Sequence, residues 1–463
     1  MNKKVFLIFV ILFLFILTSC KENENNEQNS PHKCTIENAT WVYPTEVKCL
    51  DNTVVNLKCN ECGDVLDTKE EKKPHNKVTD EKEPTCGEPG YLLDYCTDCD
   101  YRFELVLEAT SDHELYYEII NKATNDHYGL KKQHCKNCNL DGAMIRYVNN
   151  GYSDHGKLSV VGPDLVDANG EKFQLIGIST HGLQWFGQYV NYVTIDALHN
   201  EFGINVLRLS LTTAEGGYCE VEGEKREYLY QLVAKGIRIA TALDMYVIVD
   251  WHMVGANDVN DKNPLYYVKE SMEFFSRISE EFKDYDNVLY EIMNEPNGST
   301  TWADCKKYAN SVIPCIRENT DGIVLVGNPR WTADLNSVMK SPLEGYDNIM
   351  YTYHFYAADH SNTSQVSTAY DNGFPVFISE HGAMNSDGDG KMSATRVENW
   401  YKVLDARNIS YVAWNLSNSK GSASILKHGI TDMANFSDDA LKTWGVWYKA
   451  WVRKKFNFPG QAS

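Results

Sequence analysis

Two glutamates occupy similar places in this chain: Glu295 within Asn294-Glu295-Pro296, and Glu380 within Ser379-Glu380-His381-Gly382, each near the end of an apolar run. In a repeating strand-helix fold the strand ends gather on one rim, and two carboxyl groups there can serve as proton donor and nucleophile on a glycosidic bond. Other polar and aromatic residues follow the same rule. His181 and Trp185 come after a first apolar run, Arg208 ends a second, Trp251 and His252 a third, His354 and Tyr356 a sixth, and Trp414 with Asn415 an eighth. Core packing does not call for this set, and such chemistry needs no metal or cofactor.

These residues must be positioned by regular elements. Apolar runs of strand length cover residues 173–178, 204–209, 245–250, 288–293, 322–326, 349–354, 374–379 and 410–414. Between the second and third, Leu229, Leu232, Val233, Gly236, Ala240 and Leu243 recur at helical spacing, and between the third and fourth, Val268, Met272, Phe275, Ile278 and Phe282 do likewise. Eight strand-helix units predict an α/β fold, a (β/α)8 barrel over residues 157–458, preceded by a small Cys-rich repeat region. With strands about 4.8 Å apart and tilted about 36°, the ends of strands four and seven lie about 14 Å apart across the mouth. Inward reach of the side chains leaves about 6 Å between the carboxyl groups, between the spacings of retaining and inverting glycosidases.

The segments Ile178-Ser179-Thr180-His181-Gly182-Leu183-Gln184-Trp185, Arg208, Asp250-Trp251-His252, Tyr290-Glu291-Ile292-Met293-Asn294-Glu295-Pro296-Asn297, His354-Phe355-Tyr356, Ser379-Glu380 and Trp414-Asn415-Leu416-Ser417 resemble the bacterial cellulases of glycoside hydrolase family 5, in order and with compatible spacing. The resemblance implies a retaining endo-β-1,4-glucanase with Glu295 as acid/base and Glu380 as nucleophile. The expected division of labour is a proton on Glu295 and a negative charge on Glu380, kept ionised by Arg208 and the Tyr356 hydroxyl. His181, Trp185, Arg208, His252, Asn294, Trp331, His354, Tyr356, Trp414 and Lys420 are the candidate substrate-binding residues, the rings suited to the flat faces of a β-glucan. Two positions depart from the family pattern. His381 stands where an aromatic residue commonly follows the nucleophile, and Thr212 where a tyrosine is frequent, which leaves subsite shape and pH optimum open.

The beginning of the chain reads as an export signal. Lys3 and Lys4 precede an uncharged run over 5–17, and Leu17-Thr18-Ser19-Cys20 resembles a lipobox, so residues 1–19 are expected to be a lipoprotein signal peptide and Cys20 the lipidated residue. Residues 20–30 are a polar tether. The protein is then expected to be exported and held on a bacterial membrane.

Residues 31–150 carry a repeat in which Cys49, Cys59 and Cys62 with His75 are matched by Cys86, Cys96 and Cys99 with His113; a degenerate third copy runs through His127, Cys135, Cys138 and His155. Three thiols and an imidazole per unit satisfy tetrahedral zinc, making structural zinc the leading reading; disulfides in an oxidising exterior and redox-active pairs are the alternatives. Cys219, Cys305 and Cys315 read as separate thiols. A net charge of -20 turns away nucleic acid and anionic lipid surfaces but is indifferent to neutral polysaccharide. The competing functional readings are a β-mannanase or mixed-linkage glucanase on the same catalytic set, and a carbohydrate-binding lipoprotein with little activity.

Overall fold

A computed structural model describes residues 34–107, 109, 113, 115–123, 129–253 and 262–456. The export signal, the tether, Cys20 and His127 lie outside the described residues.

The chain divides into two compact units, one up to residue 111 and one from residue 112. The first unit contains two antiparallel three-stranded sheets, formed by Ala39–Val42, Asn52–Cys59 and Val65–Lys72, and by Lys77–Lys82, Gly90–Cys96 and Arg102–Leu107. Cys59 and Cys96 end the middle strands, and the second cysteine of each Cys-x2-Cys pair, Cys62 or Cys99, sits in the turn that follows. Few side chains in these sheets are buried, so hydrophobic burial alone gives them little support.

The third sheet, Leu115–Asn121, Gly129–Cys135 and Asp141–Tyr147, belongs to the second unit, which differs from the boundary expected near residue 150. The physical reason is a polar clasp onto the barrel: Asp196, on helix Tyr192–Phe202, accepts hydrogen bonds from the Tyr117 hydroxyl and from Gln133 Nε2 at 3.4 Å.

The remainder is the expected closed parallel barrel. Its strands are β1 (Ile176–Thr180), β2 (Val206–Thr212), β3 (Tyr246–His252), β4 (Val288–Glu291), β5 (Val324–Val326), β6 (Ile349–Tyr356), β7 (Val376–Gly382) and β8 (Tyr411–Leu416), with β8 closing onto β1. Most begin one to three residues later than the apolar runs, and several extend into polar residues such as Thr212, His252 and Tyr356. Residues ahead of the ladders are buried beneath the barrel, where side chains take over the bonding: Asn205 Oδ1 accepts from the Ile176 amide at 2.8 Å, and Gln174 Nε2 donates to the Ile409 carbonyl at 2.8 Å.

Inward positions repeat every second residue and stack in layers. Leu175, Val206, Ile248, Leu289, Leu325, Met350, Phe377 and Val412 form an apolar floor, closed from below by Leu158, Leu165 and Phe173 around the hairpin of Ser159–Val161 and Asp164–Val166. Two residues further along, the same faces carry Arg208, Asp250, Glu291, Ser379 and Trp414. The apolar floor therefore supports a polar upper layer at the mouth.

The outer helices follow the sequence periodicity. Helix Glu224–Ala242 buries Leu229, Leu232, Val233, Gly236 and Ala240, and helix Val268–Glu281 buries Phe274, Phe275 and Ile278. Gly236 lies against Leu209, where a Cβ would come within 2.6 Å of the leucine methyl, so a side chain there would push helix from sheet. Cys305 and Cys315 share helix Trp302–Arg317, ten residues apart and about 15 Å along its axis, too far for a bond.

Candidate active site

The polar layer is organised by Arg208. Its side chain is 0% exposed, a placement a guanidinium tolerates only when charge and hydrogen bonds compensate its desolvation. Nε donates to Glu291 Oε2 at 2.7 Å, Nη2 donates to Asn294 Oδ1 at 2.6 Å and lies 3.0 Å from Asp250 Oδ2, and Nη1 donates to Glu380 Oε2 and Ser179 Oγ, both at 3.3 Å. Being sealed from solvent, Arg208 acts on the carboxylates and not on a sugar; this corrects its expected place among the substrate-binding residues.

Asp250 and Glu291, which carry no role on sequence grounds, are partners of Arg208 in the structure. The available signal was a charged residue at an inward position of an apolar strand, since strand pairing sets Asp250 directly beside Glu291. Burial alone would push the Glu291 carboxyl up, but the Arg208 charge and the hydrogen bonds around it outweigh that and hold it at about 2. Asp250 moves the other way. Burial, with the charges of Glu291 and Glu380, raises its carboxyl well above the usual range against the opposing pull of Arg208.

Glu295 and Glu380 are brought together. Carboxylate oxygens of the two and a ring nitrogen of His354 all lie within 4.8 Å of one another. The Tyr356 hydroxyl donates to Glu380 Oε1 at 2.7 Å while Arg208 takes Oε2, so both oxygens of Glu380 are held. His354 Nδ1 pairs with Glu295 Oε1 at 2.8 Å and Nε2 with Ser379 Oγ at 2.9 Å; Ser379 donates onward to Glu291 Oε1 at 2.6 Å. Burial opposes a charge on His354, yet its bonds to Glu291 and Glu295 and the nearby Glu380 raise it to about 9. His354 stands beside Glu380 in the β6–β7 ladder, just after a register shift between Thr352 and His354.

Asn294 is fixed at both ends, accepting from Arg208 and donating Nδ2 to the Met253 carbonyl at 3.1 Å. The loop after β5 supports the Glu295 backbone. Arg330, Trp331 and Thr332 have φ of 62°, 55° and 55°, a left-handed run that costs L residues energy and needs neighbours to hold it. Those neighbours are Pro296, whose carbonyl accepts from the Trp331 amide at 3.0 Å, and Asn294, whose carbonyl accepts from Thr332 Oγ1 at 2.5 Å. Trp331, 55% exposed, thereby faces a cavity shared with Glu295, His354 and Tyr356.

A second group of rings extends over β1, β3 and β8. Trp414 stacks on His252 with centroids 5.1 Å apart and lies 5.2 Å from His181, which in turn meets Trp185 at 5.5 Å. Trp185 is 44% exposed, while Trp251 is buried against Tyr218, Phe274 and Phe275 and belongs to the core. His252 Nδ1 is bound to Asp250 Oδ2 at 2.7 Å, and burial with the Arg208 charge lowers its pKa to about 4. Burial brings His181 down to about 4 as well, and its Nδ1 accepts from the Gly182 amide at 2.7 Å. Both rings are thus neutral near pH 7.

Lys420 is placed elsewhere. It is exposed and lines a cavity with Met392, Trp444 and Trp447, apart from the one containing Glu295. His381 points away from the mouth, with Nδ1 on the Val412 carbonyl at 2.7 Å and Nε2 on the Tyr401 hydroxyl at 2.6 Å, and burial lowers its pKa to about 3. Alternation along β7 explains this, since a residue next to Glu380 faces the opposite side. His381 therefore shapes neither subsites nor pH optimum.

The thiols also group differently from the repeat. Cys49 and His75 come together with Cys96 and Cys99, and Cys59 and Cys62 with Cys34. His113 lies against Cys138, its Nδ1 3.3 Å from the sulfur, and not with Cys96 and Cys99; Cys86 likewise is absent from the Cys96–Cys99 group. His155 is engaged with Asp167 Oδ2 at 2.8 Å and takes no part in the third set. A hairpin carries its Cys-x2-Cys pair at one end, so partners come from whichever loops pack against that end and not from the next histidine in sequence.

A closed eightfold barrel with two facing carboxylates and flanking rings at its mouth defines a glycoside hydrolase of the (β/α)8 class. The cellulase model of glycosyl hydrolase family 5 matches residues 166–420, and the chain belongs to that family. It is 42% identical over 297 residues to endoglucanase A of Butyrivibrio fibrisolvens, covering 63% of this chain and 68% of that protein, and 38% identical over 298 residues to an endoglucanase of Clostridium saccharobutylicum, covering 64% of each. The chain thus spans about two thirds of these curated relatives. Among solved structures, the catalytic domain of Thermobifida fusca endoglucanase Cel5A in complex with cellotetraose matches with a TM-score of 0.61 and 32% identity, over 65% of this chain and 99% of that one.

Proposed function

We propose that the chain hydrolyses internal β-1,4-glucosidic bonds of cellulose or a related β-glucan with retention of configuration, Glu380 acting as nucleophile and Glu295 as acid/base. The observation that carries this is that Glu295 and Glu380 face each other across the mouth with an oxygen of each within 4.8 Å, one held by His354 and the other by Tyr356 and Arg208, as a paired acid and nucleophile require. In the first step a Glu380 oxygen bonds to the anomeric carbon, the glycosidic C–O bond breaks, and the departing oxygen takes the proton of Glu295. In the second, Glu295 removes a proton from water, the hydroxide oxygen bonds to the anomeric carbon, and Glu380 is released.

Supporting groups divide naturally between the steps. Tyr356 and Arg208 hold Glu380 at both oxygens, and His354 orients Glu295. Asn294, His181, His252, Trp185, Trp331 and Trp414 bind the glucan, with the exposed rings of Trp185 and Trp331 as stacking platforms. Lys420 is left without a part in this binding. Likeness to endoglucanases, one solved with cellotetraose, supports β-glucan over other β-glycans. Release of reducing sugar from carboxymethylcellulose, barley β-glucan and mannan, compared at equal enzyme, tests the assignment; a rate on mannan well above both glucans would overturn it.

A lipid on Cys20 holds the enzyme at a bacterial surface, where polymeric substrate is met. In the N-terminal region, the cysteine and histidine clusters bind structural zinc.

A further inference from the structure

We infer that the zinc of the N-terminal region is held not within one sequence repeat but between two, by Cys49, His75, Cys96 and Cys99. The inference rests on reading these clusters as zinc sites and specifies which side chains make one. Sequence periodicity assigns Cys49 and His75 to the pair Cys59 and Cys62; the fold assigns them to the following pair.

The geometry fits a tetrahedral ion closely. Cys49 Sγ and Cys96 Sγ are 3.6 Å apart, and Cys99 Sγ is 3.3 Å from His75 Nδ1; all four donor atoms lie within 4.8 Å of one another. Zinc bonds of about 2.3 Å to sulfur and about 2.05 Å to nitrogen give tetrahedral edges of about 3.8 Å and about 3.6 Å, while a disulfide would bring two sulfurs to about 2.05 Å. Three thiolates and one neutral imidazole are a zinc donor set and a closed one, with no position left for water.

The surroundings are also those of a metal knuckle. The Asp98 amide points at Cys96 Sγ at 3.4 Å, in the turn between the two cysteines. The Cys96 amide donates to the Tyr101 carbonyl at 2.9 Å, closing that turn, and the His75 ring is packed against Tyr101 with centroids 4.4 Å apart, which fixes its plane. Cys49 arrives from a different place, the turn before strand Asn52–Cys59 of the preceding sheet. Ligation therefore ties the first sheet to the second. Two sheets with so little buried apolar surface gain from this link what a hydrophobic core would otherwise supply.

The test is zinc content of the full-length protein, purified in reducing buffer with zinc and dialysed against a weak chelator, for Cys49→Ser, Cys59→Ser, Cys96→Ser and the double variants, with hydrolytic activity of the barrel as the control for folding. Cys49→Ser and Cys96→Ser are each expected to lose about one equivalent, and their double variant no more than either alone, because both remove the same ion. Cys49→Ser combined with Cys59→Ser is expected to lose the sum of the separate losses. If Cys49 and Cys59 prove non-additive while Cys49 and Cys96 add, or if Cys49→Ser retains all its zinc, zinc binding stands and the ligand set is wrong. A wild-type protein without zinc, its cysteines recovered as disulfides by mass mapping, removes both the ligand set and the zinc reading.

Discussion

Replacing Glu295 by glutamine isolates proton transfer from geometry. The amide keeps an oxygen for the His354 Nδ1 contact now made at 2.8 Å, and the left-handed loop at Trp331 still grips the backbone at Pro296, so the side chain should stay in position. What disappears is the proton given to the leaving oxygen and the base for water. General acid-base catalysis of this kind contributes about 10² to 10⁴ in rate, or about 2.7 to 5.4 kcal/mol at about 1.36 kcal/mol per decade. The loss must depend on the leaving group. With an unactivated aryl or sugar leaving group the first step suffers in full, whereas dinitrophenolate departs unassisted and Glu380 still forms the ester. The assay is therefore a series of aryl β-cellobiosides of falling leaving-group pKa, measured for wild type and Glu295→Gln. The variant should approach wild-type kcat/KM for the dinitrophenyl compound, with a burst of phenol as the second step becomes limiting, and the burst should be relieved by azide, which needs no base. An equal loss across the series, with no burst, would show that Glu295 is not the proton donor.

Arg208→Met keeps length and removes the charge that faces Asp250, Glu291 and Glu380; breaking a buried pair costs about 3 to 5 kcal/mol, so a denaturant melt should show a loss of that size, with Arg208→Lys intermediate and wild-type stability in Arg208→Met refuting the account. His354, raised to about 9 from an ordinary 6.5, stabilises the fold fully below about 6.5 and loses this contribution as pH rises through about 9. Unfolding of wild type and His354→Gln across pH 6 to 10 should therefore converge at the alkaline end, and a constant gap between them would count against a protonated imidazole.

Two carboxylates face each other because of register, which the linear chain expresses only in part. The apolar runs and their helical partners identified the barrel, since period and length leave few other ways to bury eight such strands. Rim position likewise selected Glu295, Glu380, His354, Tyr356 and the rings of Trp185 and Trp414, and Trp331 was a candidate by ring type alone. The buried support was less visible. Asp250 and Glu291 look like ordinary strand residues until the barrel closes and sets them beside Arg208, and His381 looks like a site residue until the pleat turns it into the core.

The sequence by itself determined the class of fold and the two carboxylates, because hydrophobic period and the location of strand ends are properties of neighbouring residues along the chain. Tertiary structure alone decided how closely those carboxylates approach, that Lys420 lies in another cavity, that Arg208 serves acids and not sugar, and that Cys49 and His75 gather with Cys96 and Cys99. Each of these depends on which loops and strands pack together in three dimensions, and a spacing of residues carries no record of that distance.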